Sequence, residues 1–295
     1  FKTFLEFPII QGFDRCQEVT NLRFFSPGGR ECEVVCEEPL KICAREELGE
    51  FLLKEATRRG VSFFQQRVKA LERKGSGWEI QTDEGNFEAD FLVGADGATS
   101  LVRRQLGLWH KTDRMTLGVG YYLPQTFDRK VIVKFLSNPP GYFWVFPRRD
   151  HSSVGLCATA RFLQGQALFN QLDYFIGQFL QVPIPTKVVR CGAQIPVFNR
   201  FDPHEVAGVN WSLVGDAAGL VDPITKEGIY YAIKSASLLA QAMEEKRDRL
   251  AAVGIAYSEL LQQSMVRQFR RGRLLKKIFY KRFFLDRMVA AGGKH

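Results

Sequence analysis

The sequence has no apolar run approaching the ~18–20 residues of a membrane-crossing helix. That excludes a helical span within its 295 residues. It has six cysteines, Cys16, Cys32, Cys36, Cys43, Cys157 and Cys191, but no Cys-x-x-Cys pair, and only four histidines. Such spacing argues against zinc or any other bound metal and reads as a reduced, cytosolic set of thiols. Low-complexity tracts and internal repeats are absent. Glycine and proline number 26 and 12, too few for a collagen-like or disordered chain. The chain starts at Phe1 and no signal-peptide pattern follows, so a natural start upstream of Phe1 is expected.

Charge is the unusual property. There are 41 Lys and Arg against 32 Asp and Glu, a net +9. Between Arg267 and Arg287 stand nine basic residues and one acid, Asp286. That short stretch carries +8, so the other residues together carry +1. A nearly neutral body argues against a broad nucleic-acid-binding face.

Periodicity outlines the elements. Leu22 to Phe25 and Cys32 to Cys36 flank Ser26-Pro27-Gly28-Gly29 and predict a hairpin. Leu48, Phe51, Leu52 and Ala56 share one face of a helix predicted over 46–59, with Gly60 as its stop. Short strands are expected over 61–64, 68–71, 78–82 and 87–93. Residues 115–160 read mostly as β, and 162–180 as helix. A strand at 211–214 leads to a helix over 227–243, and the tail over 255–289 reads as helical.

Two segments have the composition of ligand-binding turns. Gly94-Ala95-Asp96-Gly97-Ala98-Thr99-Ser100-Leu101-Val102-Arg103 follows the strand ending at Val93. Glycines at a strand exit let the backbone turn sharply and approach a ligand. Asp96 either accepts hydrogen bonds from ligand hydroxyls or orients the loop, and Arg103 can meet a phosphate. The second segment is Gly215-Asp216-Ala217-Ala218-Gly219, followed by Asp222-Pro223 and Glu227-Gly228-Ile229. Pro223 and Gly228 bracket a helix start, whose free N–H groups suit negative charge. Asp216 is placed to accept from sugar-like hydroxyls. Spacing alone leaves an ordinary helix entry with a solvated Asp equally open.

These two blocks, in this order and about 120 residues apart, resemble the second and third flavin motifs of FAD-dependent hydroxylases and reductases with the para-hydroxybenzoate hydroxylase fold. The segment Tyr142-Phe143-Trp144-Val145-Phe146-Pro147 and the run Asp222 to Ala232 narrow the resemblance to geranylgeranyl reductases. Arg45, leading a helix with Leu52 and Ala56 before Gly60-Val61, matches that family's segment whose Arg lies near the flavin. The resemblance covers roughly residues 20–245.

It implies an α/β fold. A Rossmann-like FAD-binding domain, of the glutathione-reductase type, is expected over 40–112 and 190–250. A β-rich substrate-binding domain is expected over 1–39 and 113–189, with a basic helical region over 251–295. The superfamily opens on a βαβ unit with Gly-x-Gly-x-x-Gly, and this sequence has none. The first βαβ unit is therefore expected to precede Phe1, and weak or no FAD binding is expected of the 295 residues alone.

The resemblance also implies a reaction. Reduced FAD would pass hydride from N5 to the C=C bonds of a geranylgeranyl-type isoprenoid or other apolar substrate, with NADPH or ferredoxin as electron donor. Implied cofactor contacts are Arg45, Asp96, Gly97, Arg103, Gly215, Asp216, Gly219, Pro223, Glu227, Gly228 and Ile229. Asp216 would bind the ribityl chain, and the backbone of 227–229 the flavin N1–C2=O edge. Tyr142, Trp144 and Phe146 alternate on one strand and would line one wall of an apolar tunnel. No proton donor is assigned. The competing readings are a monooxygenase or halogenase, and a flavin-free lipid-binding fragment.

The basic tail fits this picture. Arg270, Arg273, Lys277 and Lys281 step along one helix face, and Leu274, Ile278 and Leu285 along another. Phe279, Phe283 and Phe284 add interfacial aromatics. A helix at 267–287 lying on the anionic inner face of a membrane is expected, for a cytoplasmic protein. A solvated helix packing its apolar side on the body fits the same pattern.

Overall fold

The computed structural model describes residues 6–110, 115–125, 127, 129–159 and 165–292. In chain order the first elements are β1 (Cys16–Phe25), β2 (Glu31–Cys43), α1 (Arg45–Arg58), β3 (Val68–Lys74), β4 (Gly77–Thr82), β5 (Asn86–Ala89), β6 (Leu92–Gly94) and α2 (Leu101–Gln105). Next are β7 (Met115–Leu123), β8 (Val131–Ser137), β9 (Pro140–Pro147), β10 (Ser152–Thr159), α3 (Gly165–Phe175) and β11 (Val189–Pro196). The last are β12 (Ala207–Gly208), β13 (Trp211–Leu213), α4 (Ile229–Glu245), α5 (Val253–Leu261), α6 (Arg267–Phe279) and α7 (Arg282–Gly292).

They form two compact units. The first comprises 1–62, 116–193 and 277–295. Its sheet has the order β11-β7-β10-β9-β8-β1-β2. The expected hairpin is present, with Cys16 opposite Cys43 and Phe25 opposite Glu31. Its turn closes through Ser26 N–H to the Arg30 carbonyl at 2.9 Å, and Gly29 supplies the left-handed residue at φ +82.

In β9 the alternation is strict. Phe143 and Val145 are fully buried on one face, where Leu168, Leu172 and Ile176 cover them at helical spacing. Each such side chain contributes about 1.5–3 kcal/mol by leaving water. On the opposite face, Leu285 and Val289 of α7 cover Phe135 and Cys32. Asp286 anchors α7 by accepting from Gly28 N–H at 2.8 Å.

The second unit comprises 63–115 and 194–276. Strands β6 and β13 pair in parallel, Trp211 opposite Leu92 and Leu213 opposite Gly94. Strands β3, β4 and β5 make an antiparallel meander. Trp78 ties that meander to the chain beside β13 by donating to the Asn210 carbonyl at 2.7 Å. Helices α4 and α5 close the core, and the buried Tyr257 hydroxyl donates to the Leu213 carbonyl at 2.9 Å.

Several expectations need correction. Residues 61–64 form no strand: Val61, Phe63 and Phe64 are exposed, and the Phe64 ring lies against the Phe87 ring. A short apolar run without a ladder partner does not become a strand. The segment 87–93 splits between two sheets, because Leu92 pairs with Trp211 while Phe87 pairs with Ile80. The helix expected over 162–180 is present from Gly165 onward and ends in a π turn, Ile176–Leu180, while residues 162–164 lie outside the described set.

The tail is two helices, α6 and α7, which break at Tyr280 and Lys281. Leu274 and Ile278 therefore do not share a face with Leu285. The first two are exposed and Leu285 is fully buried. The compact units also cut the chain differently from the expected domains. Residues 40–62 fold with the first unit, where Phe51 of α1 packs on Phe13, and 251–295 is divided at Lys277. Among the described residues no helix is long and apolar enough to cross a membrane.

Candidate functional site

In the second unit the two glycine-bearing segments leave the carboxyl ends of neighbouring parallel strands. The first follows β6 and the second follows β13, and Val214 N–H donates to the Gly94 carbonyl at 3.0 Å. Crevices at the carboxyl ends of parallel strands are where open α/β sheets bind ligands.

The first turn is held by Asp96. Its carboxylate accepts from Ser100 Oγ at 2.5 Å, Leu101 N–H at 2.6 Å and Val102 N–H at 3.1 Å. Of the two roles open to Asp96, the structure displays the orienting one. Gly97 adopts φ +78 with open space where a side chain would stand.

Arg103 does not point to solvent as a phosphate ligand would. It is buried, donating to the Glu205 carbonyl at 3.0 Å, the Ala217 carbonyl at 3.2 Å and the Glu205 carboxylate at 3.1 Å. It therefore fastens the first segment to the second.

The second segment is a tight 3-10 turn, Gly215–Ala218, with left-handed glycines at both ends, φ +54 and φ +70. Gly215 N–H donates to Ser235 Oγ at 2.9 Å. Asp216 is half-buried, and its carbonyl lies 3.1 Å from His110 Nε2. A side chain on Gly228 would come 3.1 Å from Asp216 Oδ1, so Gly228 keeps that carboxylate accessible.

The approach to α4 is built by three residues. Asp222 accepts from the N–H groups of Ile224 and Thr225 at 2.9 and 2.8 Å. Glu227 caps the helix through Tyr230 N–H at 2.8 Å. Pro223 packs against Gly272 of α6. Gly228 and Ile229 stand at the amino end of this 17-residue helix, where the first N–H groups have no partner within the helix.

Sequence reasoning missed His110, Glu205 and Ser235. Each acts through a contact to a distant part of the chain, and no local motif marks them. Ser235, on the inward face of α4, was the only one with a signal: a small polar residue among apolar ones.

The remaining expected residues lie in the first unit. Arg45 starts α1 and is exposed. Tyr142, Trp144 and Phe146 line one side of β9, their rings stepping at 6.0 and 6.1 Å. Gly155, directly opposite Trp144, makes room for the indole.

A family described as FAD binding domain matches residues 29–171. Over those residues the chain is similar to FAD-dependent oxidoreductases and hydroxylases. It is 30% identical over 253 residues to an uncharacterized protein of Methanosarcina barkeri, covering 82% of this chain and 60% of that one. It is 27% identical to a geranylgeranyl diphosphate reductase of Rhodobacter capsulatus, covering 76% and 59%. The fold matches a geranylgeranyl bacteriochlorophyll reductase-like protein of Thermoplasma acidophilum with a TM-score of 0.82 at 22% identity, covering 97% of this chain and 80% of that one. The chain thus spans about 60% of the length of the two relatives.

The residues present fit the flavin half of FAD. Gly219 and Gly228 are only partly buried, Gly228 lies beside the half-buried Asp216 carboxylate, and α4 begins there. No Gly-x-Gly-x-x-Gly for the pyrophosphate occurs in the 295 residues.

Proposed function

We propose that this chain is part of an FAD-dependent oxidoreductase that saturates C=C bonds of a geranylgeranyl-type isoprenoid. The observation that supports the reading most is the placement of both flavin-motif turns at neighbouring parallel strand ends, joined by Arg103. Kinship with a geranylgeranyl diphosphate reductase points to the substrate class. Bound reduced flavin supplies the hydride. Asp216 holds a polyol chain, and the N–H groups of Gly228 and Ile229 stabilise negative charge at the ring edge. Tyr142, Trp144 and Phe146 offer apolar surface to a polyprenyl chain.

The test is anaerobic turnover of geranylgeranyl diphosphate by the whole protein with FAD, using NADPH in one arm and reduced ferredoxin in the other. A mass gain of two hydrogens per double bond is expected. Asp216→Ala is expected to weaken FAD binding about tenfold or more, the loss of a charge-assisted hydrogen bond. An oxygenated or halogenated product, or no product with either donor, overturns the assignment.

The basic helix belongs to the same proposal. Leu274, Leu275 and Ile278 of α6 and Phe283 of α7 are exposed, interleaved with exposed Arg270, Arg271, Lys277 and Lys281. An apolar surface set among cations suits the anionic face of a membrane that carries the isoprenoid. Each cation contributes about 1 kcal/mol near such a surface. Co-sedimentation with phosphatidylserine vesicles is expected at low salt and is expected to fall at high salt. Arg270→Glu with Lys277→Glu should weaken it at least tenfold. Equal partition with neutral phosphatidylcholine vesicles would sink this part of the proposal.

A further inference from the structure

The first unit contains a thiol pair that the flavin motifs do not use. Cys16 opens β1 and Cys43 closes β2, and the antiparallel register sets them directly opposite each other. Opposed residues in such strands have Cα atoms about 4.5–5.5 Å apart. That separation lies inside the range a disulfide spans. Both thiols are free, and they hydrogen-bond to each other.

The surroundings distinguish the two sulfurs. The Cys16 S–H stabilises the Cys43 thiolate, and the guanidinium groups of Arg148 and Arg45 add to this against burial and the opposing charge of Glu47. Together these lower Cys43 to about 7. Cys16 is pushed the other way, by that same hydrogen bond, by burial and by the charge on Cys43, with Lys41 opposing. A cavity of about 410 Å³ flanks the pair, lined by Arg15, Arg148, Arg149 and His151 together with Glu47 and Asp150. Arg15 is the chain neighbour of Cys16, and the lining residues Ile42 and Ala44 are those of Cys43.

We propose that Cys16 and Cys43 form a thiol–disulfide exchange site for small disulfides bearing carboxylates, with Cys43 attacking and Cys16 resolving. The Cys43 thiolate attacks one sulfur of the small disulfide, forming a mixed disulfide and expelling one thiolate. Cys16 then gives up its proton, to solvent or to that leaving thiolate, and attacks the Cys43 sulfur. The second small thiolate leaves, and the Cys16–Cys43 bond remains. Two protein thiols are oxidised and one small disulfide is reduced to two thiols. The arginines contribute twice, by holding the attacking sulfur as thiolate and by attracting the carboxylates.

This inference is independent of the flavin reading, and its test needs no flavin. The folded protein is incubated with oxidised glutathione from pH 6 to 9, quenched by alkylation and analysed by intact mass and peptide mapping. Expected are a Cys16–Cys43 linkage, loss of two hydrogens and no retained glutathione. The rate should rise to half its plateau near pH 7. Cys16→Ser should retain one glutathione on Cys43, and Cys43→Ser should react at least tenfold more slowly. Arg148→Gln should move the midpoint upward. If a variant fails to fold, the map of the unaltered protein still decides. Absence of the Cys16–Cys43 linkage, equal capture at Cys36 or Cys191, or a rate still climbing above pH 8 overturns the proposal.

Discussion

Replacing Arg103 with methionine is expected to lower the unfolding free energy by about 3 kcal/mol, measured as a fall in the urea midpoint. The guanidinium is buried and serves three protein acceptors, two of them backbone carbonyls. Methionine fills most of the volume but leaves the Ala217 and Glu205 carbonyls without a donor. Breaking a buried pair from one side costs about 3–5 kcal/mol. The lower end applies because Glu205 is only partly buried and keeps Arg200 at 2.7 Å. Arg200→Met supplies the contrast. Arg200 is more than half exposed, so its loss should cost under about 1 kcal/mol. Equal losses from the two substitutions would refute the tethering role of Arg103. On the proposed function, a selective loss should also weaken FAD binding by the whole protein, because Ala217 belongs to the turn that carries Asp216.

Gly141→Ala is expected to be at least as damaging, at roughly 3 kcal/mol or more. A Cβ at 141 would collide with the carbonyl oxygen of Cys157 on the paired strand β10. That obstacle is backbone in the middle of a ladder, so relief requires shifting two strands. Gly155→Ala meets a different obstacle, the Trp144 ring. A side chain can rotate away, so the cost should be nearer 1–2 kcal/mol. The indole should move, and its fluorescence maximum with it. Thermal and urea unfolding of the two variants decide between these outcomes. A Gly141→Ala protein as stable as Gly155→Ala would mean that the β9–β10 register is wrong.

Much of the architecture was legible along the chain because it is local. The hairpin around Pro27 and Gly28, the alternation through Tyr142, Trp144 and Phe146, and the helices beginning near Arg45 and Ile229 follow from turn chemistry and periods of 2 or 3.6. The two flavin motifs were legible for the same reason, since each is a short run of glycines, small residues and one carboxylate.

What was not legible depends on distant partners. Nothing near Arg103 says that it turns inward, because Glu205 and Ala217 lie more than a hundred residues away. His110 reaches the Gly215 turn across 106 residues and Ser235 across 20. The run 61–64 has the composition of a strand but meets no ladder, and Leu92 finds its ladder on β13 instead of β4.

By itself, then, the sequence carried the resemblance to FAD-dependent oxidoreductases, the α/β class, the two glycine-bearing turns and the concentration of charge in the tail. Tertiary structure alone decided that Arg103 is a tether, that Leu285 is core while Leu274 and Ile278 face outward, and that Cys16 lies opposite Cys43. The reason is physical. Period and turn chemistry are properties of a few neighbouring residues, whereas a buried charge or a thiol pair acquires its role only from the residues that folding brings against it.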